Sequence, residues 1–239
     1  MNLRIARDYE ALSRNAAQII AGEIRRKPDL VLGLAAGNTP LGAYLELVRM
    51  HREENLDFSR VVLFNLDEYG PGKIFVQRFS DFLHRNFVNQ VNVDKPNVHF
   101  LSFPSVSVQG YCRSFEELIL KAGGIDLQIL GIGRNGHIAF NEPGSTLDSR
   151  TRVVTLDRSG VSDSPHTDTA ISMGVATIME SHRILLLASG SSKAEVLAKA
   201  LEGPVTETIP ASFLQRHRDL IVLADEAASS QLKNLKLAG

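Results

Sequence analysis

The fold class this sequence predicts is α/β, an open sandwich with helices on both faces of a mostly parallel sheet. Three observations carry that expectation. Short runs rich in Val, Ile and Leu recur along the chain. Most are continuously apolar rather than alternating, as strands covered on both faces are. Helical patterns lie between them, which gives the βαβα rhythm of a parallel sheet.

The elements follow in order. "YEALSRNAAQIIAGEIRR" (9–26) reads as a helix and precedes a first strand, "LVLGL" (30–34). A helical "LGAYLELVRMHREE" (41–54) leads to the strand "VVLFNL" (61–66), and "FSDFLHRNFVN" (79–89) to "VHFL" (98–101). "SFEELILKAG" (114–123) precedes "IDLQILGI" (125–132). A strand "RVVTL" (152–156) and a helical "AISMGVATIMES" (170–181) come next. The strand "ILLLAS" (184–189), the helix "SKAEVLAKALEG" (192–203) and the strand "LIVLAD" (220–225) complete the series.

The 239 residues, 44% of them hydrophobic, are enough for one large domain over 1–239. A net charge of −1 leaves no basic face of the strength that nucleic acid demands. No apolar run approaches the ~20 residues of a membrane span, and "MNLRIARDYEAL" lacks the apolar core of a signal peptide. The single Cys112 cannot form an internal disulfide and reads as a small residue on a helix. A cytoplasmic protein is the expectation.

In open parallel sheets ligands bind beyond the carboxyl ends of the strands, so four strand ends matter most. After 30–34 comes "AAGNTPLGAY", where Gly37, Asn38 and Thr39 stand at a strand-to-helix turn. Helix N-termini suit phosphate. An ordinary capped turn, with Thr39 as N-cap and Pro40 at the first helical position, competes with that reading. After 61–66 come Asp67 and Glu68. Each reads as a structural acid or as a base able to take a proton from carbon beside a carbonyl.

After 125–132 comes "GIGRNGHIAFNEPGS". Gly131, Gly133 and Gly136 copy the dinucleotide fingerprint, which requires a helix at the third glycine and an acid ~20 residues on. Asn141, Pro143 and Gly144 break any helix there, so the nucleotide reading fails. The alternative is a compact loop that aims His137 and Glu142 into a cleft, the carboxylate orienting the imidazole and raising its basicity. A loop histidine satisfied by backbone groups is the ordinary alternative. The fourth end, "ASGSSKAEVL", puts Lys193 in the first turn of a helix, where the dipole disfavours a cation unless an anion meets it.

These stretches, with "FNLDEY", "SRTRVVTL" and "PASFLQRH", run in the order of the glucosamine-6-phosphate deaminase (isomerase) family, and the resemblance covers nearly the whole chain. "GHIAFNEPGS" and "LDEY" are its specific elements; the sister 6-phosphogluconolactonases usually show Asp-Glu-Arg in place of Asp67-Glu68-Tyr69. The resemblance implies a modified Rossmann-like three-layer α/β/α sandwich shared with ribose-5-phosphate isomerase and coenzyme A transferases. It implies conversion of an amino sugar phosphate, glucosamine-6-phosphate, to fructose-6-phosphate and ammonia by a hydrolase/isomerase that needs no cofactor or metal.

By position, Asp67 matches the family's base at C2 and C1, and His137 its ring-opening group, supported by Glu142 and Asn135. Lys193 and the Gly37–Thr39 turn match phosphate ligands, and Glu68 is expected on the substrate side. A monomer or small homo-oligomer is implied.

The chain also departs from the family. Asn135 stands where many members carry Asp, and should orient His137 by hydrogen bonding without adding charge. "GPGKIFVQRF" replaces a segment like "HPQSY", with Phe75 and Val76 near the expected His-Pro. "DRSGVSDSPHTDTA" lacks the lid arginine, Arg158 falling several residues early; Lys73 is a possible substitute. Val154 stands where hexameric members carry a basic allosteric residue, so no activation by N-acetylglucosamine-6-phosphate is expected. Galactosamine-6-phosphate, a lactonase substrate, or sugar-phosphate sensing without chemistry are the alternatives.

Overall fold

The computed structural model describes residues 1–70, 78–103, 107–156 and 168–233. The chain opens with β1 (Asn2–Ala6), α1 (Tyr9–Arg26), β2 (Val31–Leu34), α2 (Asn38–Glu54) and β3 (Val62–Asn65). A three-residue β4 (Asp67–Tyr69) is followed by α3 (Phe79–Asn86), β5 (Val98–His99), α4 (Val108–Lys121) and β6 (Leu127–Gly131). Next come β7 (Arg152–Leu156), β8 (Asp168–Ser172), α5 (Val175–Met179), β9 (Arg183–Ala188), α6 (Ala194–Glu202), β10 (Leu220–Asp225) and α7 (Glu226–Ser229).

Seven strands form one sheet in the order β1-β10-β9-β6-β2-β3-β5. Every pairing in it is parallel. Every residue of β2 and of β10 is buried. A strand with no exposed side chain needs cover on both faces, and the sequence supplies it with helices after nearly every strand. The helix α1 shows why these segments coil. Asp8 accepts a hydrogen bond from the Ala11 amide at 2.8 Å, closing the N-terminus, and Arg25 and Arg26 sit at the negative end. Leu12, Ala16, Ile20 and Ile24 recur at helical spacing and are buried.

The sheet order places a switch point at its centre. From β2 the chain moves to β3 and β5 on one side, then returns through α4 to β6 on the other. Crevices at such points hold ligands in open α/β sheets. A second sheet, β4-β8-β7, is antiparallel and small.

Four sequence expectations are corrected. The stretch 170–181 is not one helix: its start belongs to β8 and only Val175–Met179 coils. Its apolar residues pack on β4 and β7 as a strand, and tertiary pairing overrides helical spacing there. The helix after β2 starts at Asn38 with Gly37 as N-cap, not at Pro40 behind a Thr39 cap. Lys193 closes a 3-10 turn (Ser191–Lys193) just ahead of α6. Glu68 is treated below. Lys73, Phe75, Val76 and Arg158 lie outside the described residues.

Candidate active site

The turns after β9, β6, β2 and β3 leave four adjacent strands of one parallel sheet at the same edge. The sequence-predicted groups Lys193, Asn135, His137, Glu142, Gly37–Thr39 and Asp67 all sit on them.

The loop after β6 folds back on itself. The Gly133 amide donates to the His137 carbonyl at 2.9 Å, and the Gly136 amide to Gly133 at 3.1 Å. No helix follows, and Ile138 pairs with Asn141 across an isolated bridge. Gly133 is required by close approach. A Cβ there would lie 2.4–2.5 Å from His137 ring atoms, so the imidazole rests against bare backbone. His137 Nδ1 is shielded from water and meets Glu142 Oε1 at 2.8 Å, an ion-pair contact rather than a well-aligned hydrogen bond. The imidazole holds the Glu142 carboxyl below its usual range, with help from Asn135.

Asn135 acts one step further back than the sequence suggests. Its Nδ2 donates to Glu142 Oε2 at 2.5 Å, and its Oδ1 accepts from the His137 amide at 3.2 Å. It holds the carboxylate that meets the ring and braces the loop backbone; its side chain makes no bond to the imidazole.

Asp67 begins β4, immediately past the end of β3. Its position is fixed by backbone. Asn65 Nδ2 donates to the Asp67 carbonyl at 2.9 Å, and the Leu66 amide and carbonyl bond to Leu34 and Met173. Its side chain is 8% exposed, and among the described residues no donor reaches the carboxylate. Burial, and secondarily the neighbouring Glu68, pushes this acid up to about 8.

Glu68 does not face a substrate. It is fully buried and accepts from the amides of Tyr69, Phe79 and Ser80, at 2.9, 3.1 and 2.9 Å, and from Ser80 Oγ at 2.5 Å. Its carboxylate closes the N-terminus of α3, which has no other side-chain cap. Strand alternation explains the correction, since adjacent residues point to opposite faces.

β8 ties the strand of Asp67 to the histidine loop. Ser172 is the register partner of Asp67, and its hydroxyl accepts from the Phe140 amide at 3.1 Å. Asn141, fully buried, donates to the Met173 carbonyl at 2.9 Å and accepts from Arg152 Nη1 at 2.9 Å. Tyr69, Phe79 and Phe140 stack beside this junction, with ring centroids 4.7–5.8 Å apart.

The turn after β9 brings a cation to the same sheet edge. Lys193 Nζ donates to the Ile132 carbonyl at 2.6 Å, joining the turns after β9 and β6. Burial lowers its pKa, and the charge of Arg134 adds to that. Arg134 was not singled out by sequence; its position between two glycines of the histidine loop was the available signal. Asp225 fixes the turn that carries Lys193: it accepts from Ser189 Oγ at 2.5 Å and from the Gly190 amide. Across the crevice, Gly37 has φ +130°, a backbone that side chains resist, and α2 starts behind it with no side-chain cap. A cavity of about 400 Å³ lies there, lined by Tyr9, Asn38, Thr39, Leu41 and Ser189.

This is an α/β protein in which the turns of four adjacent parallel strands carry a histidine–carboxylate contact, a buried carboxylate, a half-buried lysine and a helix start with no side-chain cap. The chain belongs to the family of glucosamine-6-phosphate isomerases and 6-phosphogluconolactonases, whose model matches residues 7–222. Glucosamine-6-phosphate deaminase 2 of Bacillus subtilis (strain 168) is 44% identical over 245 residues, covering 98% of each chain. A solved monomeric glucosamine-6-phosphate deaminase superposes with a TM-score of 0.89 at 41% identity, covering 97% of this chain and all of that one. The 6-phosphogluconolactonase of Trypanosoma brucei, at 18% identity and a TM-score of 0.74 over 97% of this chain and 98% of its own, shares the fold. Among the described residues no helix is long and apolar enough to cross a membrane.

Proposed function

We propose that this chain deaminates glucosamine-6-phosphate, giving fructose-6-phosphate and ammonia with the uptake of one water. The carrying observation is Asp67: a buried carboxylate with no donor among the described residues, on a strand whose partner residue anchors the loop of the His137–Glu142 pair. A structural acid would be satisfied, as Glu68 is. One left bare beside a crevice is suited to accept a proton from carbon.

The cyclic sugar must open before its C2 proton becomes acidic. His137 takes the proton of the anomeric hydroxyl and delivers one to the ring oxygen, while Glu142 steadies the imidazolium. Asp67 then removes the C2 proton and returns it to C1. Removal of the C2 proton, with a proton passing from the ammonium to O1, gives the enolamine; its protonation at C1 gives an iminium at C2, where water adds and ammonia leaves. Only protons and one water move, so the reading needs no metal or cofactor.

Asp67 must be ionised to begin. An amino sugar brings its own ammonium, and a cation close to a buried carboxylate favours the charged form. Lys193, Arg134 and the amides opening α2 supply the anchor for the phosphate. Binding at that remote end positions C1 and C2 under the base. Relatives that carry the name glucosamine-6-phosphate deaminase over the whole chain, one of them solved as a monomer, support the same substrate and a chain that works without a partner subunit.

The test is to incubate the protein with glucosamine-6-phosphate, galactosamine-6-phosphate and 6-phosphogluconolactone, measuring ammonia, ketose phosphate and acid release. Ammonia and fructose-6-phosphate in equal amounts from the glucosamine compound are expected. Ammonia from galactosamine-6-phosphate alone moves the substrate to that epimer. Acid release from the lactone with no ammonia from either amino sugar overturns the reading.

A further inference from the structure

We propose that Tyr9 is a positioning residue that holds the phosphate-binding turn at the start of α2. The inference rests on the phosphate anchor assigned above.

Tyr9 is the first residue of α1, yet its hydroxyl works on another helix. It donates to the Asn38 carbonyl at 2.6 Å and accepts from the Gly42 amide at 2.9 Å. Those atoms are the acceptor and donor of an i→i−4 step at the start of α2. The phenol therefore clamps the turn whose amides open onto the crevice. Residue 42 is shaped for it. A Cβ there would fall 3.0 Å from the Tyr9 hydroxyl and 2.2 Å from Ser13 Oγ, and Ser13 is itself bonded to the Tyr9 carbonyl.

Two further observations point to ligand positioning rather than plain helix packing. The 17-residue α2 starts with no side-chain cap, a feature it shares with α5 and α6, and its first residues Asn38 and Thr39 line a cavity. Tyr9 is 38% exposed as a residue and lines the same cavity as Asn38, Thr39 and Ser189. A tyrosine serving only the core would bury its ring.

Removing the hydroxyl leaves the turn free to relax and loosens the phosphate in ground and transition states alike, which raises KM without lowering kcat. Tyr9→Phe keeps the ring and tests this directly. KM for glucosamine-6-phosphate should rise about three- to tenfold, the worth of one or two hydrogen bonds. The inhibition constant of inorganic phosphate should rise in parallel, with kcat within about twofold.

An unchanged KM and phosphate affinity, with or without a lower Tm, overturns the inference, as does a fall in kcat at constant KM. If wild type turns over no amino sugar phosphate, the activity reading fails by itself. Calorimetric titration with inorganic phosphate then decides Tyr9: weaker binding by Tyr9→Phe supports it, while equal binding, or none by wild type, overturns it.

Discussion

On one face of β4 the Glu68 carboxylate receives four hydrogen bonds; on the other, one residue earlier, the Asp67 carboxylate receives none from the described residues. Both side chains are buried and both are acids. Composition therefore does not separate them, and neither does depth. Donors do. Glu68 meets a helix N-terminus, where backbone amides replace the water it lost. Asp67 meets nothing comparable, and its proton is held until about pH 8. The pair teaches that, in one short strand, an acid supplied with donors is tied into the structure, while burial raises the proton affinity of the acid beside it.

The sharpest way to break the contrast is Asp67→Asn. Turnover should fall by about a thousandfold or more, the scale of a lost acid–base group. Stability should move the other way, and the sign follows from burial. The folded acid titrates near 8 and the ordinary one at 3.8. Below the ordinary value both states hold the proton. As pH climbs from there toward about 8, the unfolded chain ionises while the fold does not, and stability drains away. Asparagine has no such slope. Melting curves from pH 4 to 9 should show the variant gaining on wild type with rising pH, and kcat/KM of wild type should rise toward pH 8. A parallel pair of melting profiles would show that the carboxylate is not starved.

Glu68→Gln should do the reverse. It places an amide NH₂ among donors, costing about 2–3 kcal/mol of stability. Chemical denaturation should report that loss, with kcat of the folded fraction kept within about tenfold. A kcat loss rivalling that of Asp67→Asn would return Glu68 to the substrate side.

Smaller is Glu142→Gln, which removes the charge facing His137 but keeps the shape. A drop of about tenfold in kcat, near 1.4 kcal/mol, is expected, with KM little altered. Smallest is Arg134→Ala. Exposed and solvated, it should raise KM about threefold, an effect that shrinks as salt is added.

Much of this architecture was readable before any coordinates. "RVVTL", "LIVLAD" and the helix over 9–26 keep their boundaries, because dense apolar runs and a capped amphipathic pattern leave little choice. β1 escaped notice, since Asn2 and Arg4 interrupt its apolar residues and only one neighbour pairs with it. β4 is too short to show a period. His137, Glu142 and Lys193 were visible because each contradicts its local setting: a broken glycine fingerprint, or a cation at a positive helix end. Glu68 and Tyr9 were not legible as what they are. Their partners lie 12 and 29 residues away, and only the fold brings them together.

Ser172 faces Asp67 across the strand pair while its hydroxyl grips the loop that carries His137. One buried residue thus links the two segments whose spacing the proposed reaction depends on. Lengthening or removing that hydroxyl would shift both at once.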